Sequence, residues 1–158
     1  MTSDRSHSET WASEPARSDA VNKARARRAH LLDAAGAVEL AIAGPARAAG
    51  WGKRLAAELE DLLQAWREHI DEVEGPDGLL ASVRADEPRL AHTIENLGKE
   101  HGAIRIEAEA VLDLIENDGT PSDIRSAGLN LLHSVALHRH KGSDLVWEAY
   151  NVDIGGGG

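Results

Sequence analysis

One stretch constrains the fold more than any other: Glu87 to Glu116, with Leu90, Ile94, Leu97, His101, Ile104, Ala108, Val111, Leu112 and Ile115 at helical spacing. At about 100° per residue these side chains share one stripe, so the segment is predicted to be a long amphipathic helix. His101 falls in the middle of the stripe among aliphatics, whereas His92 falls about 180° away, toward water. An imidazole buried among aliphatics requires a partner, because an unpaired ring nitrogen is costly in a core.

Three further segments repeat the pattern. Helix A is predicted from about Ser18 to Ala43, stopped by Gly44-Pro45, with His30 near the edge of its apolar face. Helix B runs from Trp51 to Glu74 on a stripe of Leu55, Leu59, Leu62, Leu63, Trp66, Ile70 and Val73. His69 and Glu74 flank this stripe, and Glu72 points about 125° from it. Leu79, Leu80 and Val83 read as a short helical turn closing one end of the core. Asp86 is the expected cap of helix C, with Pro88 in its first turn. Thr120-Pro121-Ser122-Asp123 starts helix D, which runs to about Tyr150, weakened at Gly142, with His138 inside its apolar face. No strand alternation occurs. The expected fold is all-α: an up-down-up-down four-helix bundle over residues 18–150, with a disordered arm (1–17, containing Trp11) and a flexible glycine-rich tail (151–158).

Composition narrows the function. The formal net charge is −10, which argues against nucleic acid and anionic membranes as partners. Cysteine is absent, so thiolate metal sites are impossible. No apolar run is long enough for a membrane span and no signal peptide is evident, so the expected compartment is the cytosol. No nucleophile–base pair or phosphate-binding glycine loop is present, and no reaction is assigned.

Four of the eight histidines, His30, His69, His101 and His138, come one from each helix, on or beside the core-facing stripe. Core side chains of a bundle converge on its axis, and neutral imidazole is the commonest ligand for iron, zinc, copper or nickel. By position along the helices, His30 and His101 are central, while His69 and His138 are displaced toward helix ends. Each histidine alone also fits a core residue bonded to a carbonyl or carboxylate. His133, His140 and Asp144 read as a solvated face rather than a surface metal site.

Arg28-Ala29-His30-Leu31-Leu32, Glu68-His69-Ile70-Asp71-Glu72-Val73-Glu74, Lys99-Glu100-His101, Leu137-His138 and the closing stretch from Asp144 resemble the hemerythrin-like (HHE cation-binding) domain. The resemblance covers about residues 22–154. It implies a bundle holding two irons by histidines and bridging carboxylates, with a small diatomic ligand, and a role in handling oxygen, nitric oxide, peroxide or iron. It implies His30, His69, His101 and His138 as ligands, with Glu72 or Glu74 as the bridging carboxylate. The chain departs from the family pattern at Val73, Arg105 and Ser143, where a glutamate, a second histidine and an aspartate would stand. An altered metal site, with the iron mono- or dinuclear, is therefore expected. The alternative is a bundle without metal, acting as a binding or regulatory module, with Arg105 paired to Glu72 or Glu74 in the core.

Overall fold

The computed structural model describes residues 14–151. They form α1 (Glu14–Ala43), α2 (Trp51–Glu74), α3 (Leu79–Asp86), a 3-10 turn (Pro88–Leu90), α4 (Ala91–Glu116) and α5 (Pro121–Asn151). The four long helices pack in a closed ring, α1 on α2, α2 on α4, α4 on α5 and α5 on α1, which is the up-down-up-down bundle. Among the described residues there is no strand, and no helix is long and apolar enough to cross a membrane. The expected arm and tail fall largely outside the described residues; α1 begins at Glu14, four residues before Ser18.

Periodicity explains the packing. α2 buries Leu55, Leu59, Leu62, Leu63 and Trp66 and turns Glu, Asp, Lys and Arg outward. α1 contributes Leu31, Ala34, Val38 and Ile42, and α5 contributes Ile124, Leu131 and Val135. The small α1 side chains allow close approach, and Gly128 of α5 sits directly over Ile42, whose Cδ1 would lie 2.6 Å from any added Cβ.

The turns follow from local chemistry. Gly50 takes the left-handed conformation (φ 75°) before α2. After α4, Asp118 adopts φ 55°, and the Gly119 N–H reaches back to the Leu114 carbonyl at 2.7 Å. The Thr120 hydroxyl accepts from the Asp123 N–H at 3.1 Å, the expected cap of α5. The start of α4 differs from expectation. Asp86 ends α3 instead of capping the next helix, and α4 begins only at Ala91. Pro88 forces the preceding Glu87 into an extended conformation (φ −129°, ψ 76°), which interrupts the helix. α5 runs unbroken through Gly142 to Asn151, where Leu145 and Ala149 pack on Val83, Leu90, Ile94 and Leu97.

The apolar interior is thus divided in two. A large cluster fills the bundle up to Trp66, Ile104 and Val135; a smaller one joins α3, the start of α4 and the end of α5. The layer between them contains the only buried polar side chains among the described residues, His101 and His138.

Arg125 ties α5 to the end of α1. Its guanidinium donates to the carbonyls of Ile42 (3.1 Å) and Gly44 (2.8 Å) and lies 5.2 Å from the Trp51 ring centroid. Arg125→Met should cost about 1.5–3 kcal/mol, a fall of several degrees in thermal midpoint, because two carbonyls lose a charged donor. Arg105→Met, at an exposed pair with Glu109, should stay within about 0.5 kcal/mol. Thermal unfolding of both variants provides the check.

Candidate metal centre

His69, His101 and His138 converge in the layer between the two clusters. One ring nitrogen from each can be chosen so that all three lie within 4.8 Å of one another. The ring centroids are 4.6 Å apart for His101–His138, 5.4 Å for His69–His101 and 5.6 Å for His69–His138.

Helix stagger overcomes the expected displacement of His69 and His138. His101 lies 15 residues before the end of α4, and His138 lies 17 residues after the start of α5, so the antiparallel pair brings them to one height. The first turns of α4 run past the end of α2, which places His69, five residues before that end, at the same level. Trp66, expected to be simple core, forms the wall of the site. Its ring stacks on His69 (5.0 Å, 28°) and meets His101 and His138 edge-on at 5.7 and 5.1 Å. Its N–H donates to the His101 carbonyl at 3.1 Å.

Carboxylates orient two of the rings. His101 Nδ1 bonds Glu74 Oε1 at 2.5 Å, and His138 Nδ1 bonds Glu100 Oε2 at 2.8 Å. Lys141 holds the other oxygen of Glu100. A carboxylate on Nδ1 fixes the tautomer and turns Nε2 toward an ion, the usual support for histidine ligands. Glycine at position 98 leaves room for Glu74, whose Oε1 would stand 3.2 Å from an added Cβ.

His69 is different. Its Nε2 is buried with no hydrogen-bond partner among the described residues. Burial, followed by the nearby His101, His138 and Arg139, pushes its pKa down to about 4, so it is neutral at pH 7. Burial also lowers the pKa of His138, although the Glu100 hydrogen bond works the other way. At Glu100, burial raises the pKa of the carboxyl, but the Lys141 and His138 hydrogen bonds outweigh it and the net direction is downward.

The other expected ligands are not brought to this point. His30 lies between α1 and α2 with both ring nitrogens occupied, Nδ1 by Glu68 and Nε2 by Asp61, each at 3.0 Å. Those two bonds raise its pKa. Glu74 supports a ligand instead of bridging two ions. Glu72 is half-buried on the wall of an adjoining cavity and outside the histidine group. Arg105 pairs with exposed Glu109 at 3.0 Å, not with Glu72 or Glu74, so its charge stays out of the centre. His133 and His140 are exposed as expected. Glu100, Lys141 and the contacts of Trp66 were missed by helical periodicity. Glu100 flanks the α4 stripe and acts across an interface, where only neighbouring-helix geometry reveals it.

Compared with known proteins, the chain matches no family model, no curated protein and no solved structure. Fold and site together define an all-α four-helix bundle with a buried histidine triad able to hold a metal ion.

With metal–imidazole bonds of about 2.0–2.1 Å at tetrahedral angles, donors stand ~3.4 Å apart. Closing on an ion therefore draws the three nitrogens inward from their 4.8 Å span by up to about 1.4 Å. The orphaned His69 Nε2 and two rings pre-oriented by carboxylates on Nδ1 fit such an ion.

Without metal, His69 is a stability cost. The unfolded chain takes up its proton near pH 6.5 and the folded chain only near 4, so acid stabilises the unfolded state across that window. Metal-free protein should lose stability from pH 6.5 to 4, on the order of 3 kcal/mol from this residue. His69→Leu should flatten that slope and leave the pH 7 melting temperature unchanged or higher. A pH series of chemical unfolding, run on both proteins, reads both effects.

Proposed function

We propose that the protein is a metal-binding four-helix bundle with an altered hemerythrin-like site, in which His69, His101 and His138 hold one first-row metal ion. The observation that carries this reading is the buried, partnerless Nε2 of His69 beside two imidazoles whose Nδ1 atoms are already held by carboxylates. An all-imidazole donor set suits iron, zinc, copper or nickel; the resemblance at the four histidines favours iron. A single ion fits better than two, because Glu74 and Glu100 are engaged with imidazoles and no bridging carboxylate lies in the group. Three protein ligands leave room on such an ion for a small molecule, which supports a role in handling oxygen, nitric oxide, peroxide or iron. A cytoplasmic location belongs to this reading, and the net charge of −10 speaks against nucleic acid as a partner.

Protein purified from iron-supplemented cells should carry close to one metal ion per chain by elemental analysis. His101→Ala should lose it. Adding ion at about a hundredfold excess over Kd should raise the thermal midpoint of stripped protein by about 5–10 °C. Trace metal that His101→Ala does not reduce would reject the site.

A metal-free binding or regulatory module is favoured by a different observation: the His101–Glu74 and His138–Glu100 pairs already satisfy two of the three buried rings. In that case chelator leaves the melting temperature unchanged.

A further inference from the structure

The three imidazoles lie on the floor of a partly open cavity of about 950 Å³ at the α3 end of the bundle, a volume typical of small-molecule sites. Its walls are mainly apolar, including Leu31 of α1, Leu79 and Leu80 of α3, Leu97 of α4, and Leu145 and Val146 of α5. Set into this surface are Lys23, Arg27 and Arg28 from α1 and Arg139 from α5, facing Asp71, Glu72 and Asp77 from α2 and its following loop. Arg27 and Arg139 are half-buried, and neither makes a hydrogen bond or ion pair among the described residues. Grouping cations against an apolar cavity runs against a chain whose net charge is −10. Half-buried guanidinium groups whose N–H donors are not taken up by neighbouring described side chains attract a carboxylate they can fork.

Gly142 of α5 lines the cavity, and a Cβ there would meet nothing within 4 Å. A long apolar side chain at this position would enter the open space.

We infer that this cavity binds a small amphipathic carboxylate, with its head on Arg27 and Arg139 and its apolar body against the leucine-lined wall. Recognition needs only the cavity and its charges, so it goes beyond the metal reading and is testable without an ion.

Octanoate is titrated calorimetrically into chelator-treated full-length protein, with octanol and octylamine as comparators. Octanoate should bind saturably at one per chain, with the two comparators at least tenfold weaker. Arg27→Gln combined with Arg139→Gln should weaken octanoate at least tenfold without changing octanol binding. Gly142→Leu should fill the cavity and abolish octanoate binding with cooperative melting retained, while Arg105→Gln changes nothing. Should Gly142→Leu melt non-cooperatively, the arginine pair decides. Absence of saturable octanoate binding, octanol or octylamine binding as tightly, or indifference to the arginine pair would overturn the inference. Because stripped protein is used, failure here leaves the metal site standing, and failure of the metal site leaves this result standing.

Discussion

The structure turns on a buried imidazole nitrogen that no group among the described residues satisfies. His69 Nε2 sits against Trp66, between two apolar clusters, in a chain that could have closed this layer with another leucine. Burying an unpaired polar atom opposes folding by about 1–3 kcal/mol, a sizeable part of a domain's net stability. The rest of the layer is organised around the same point: two more rings, each steered by a carboxylate, and an indole that shields them from the large cluster.

Electrostatics and packing act together here. Burial keeps His69 in the neutral form that can ligate an ion, and the proximity of the other rings reinforces this. Glu74 and Glu100 supply negative charge one bond removed from the centre, and Lys141 anchors Glu100 from outside. His30 shows the contrasting arrangement. Held by Asp61 and Glu68 near the surface, it favours its charged form, contributes stability below pH 6.5 and loses it as pH rises through its raised pKa. Partial exposure keeps that contribution small. Two histidines in one fold thus respond to acid in opposite directions, because one faces carboxylates and the other faces indole and imidazole.

Much of this was legible in the sequence. The 3.6-residue stripes located four helices, and Gly44-Pro45 and Thr120-Pro121 marked two of their joints. His69, His101 and His138 were identifiable as core-facing residues. Height along the bundle was not, because stagger depends on where α4 starts relative to the end of α2. A 3-10 turn imposed by Pro88 and the packing of α3 set that relation. Periodicity also places a residue on a face without naming its neighbour. His30 therefore looked like a ligand, although its edge position meets Asp61 and Glu68, and Arg105 looked like an intruder, although it points to water. The grouping of cations on the cavity wall carries no one-dimensional signature, since they meet only after α1 and α5 pack.

Anomalous diffraction from crystals grown with a zinc or iron salt tests the central claim most directly. One strong peak per chain is expected, at bonding distance from His69, His101 and His138, with Glu74 and Glu100 still on the far nitrogens of their rings. A map with no peak among those rings, or with metal only at the exposed His140–Asp144 pair, would contradict it.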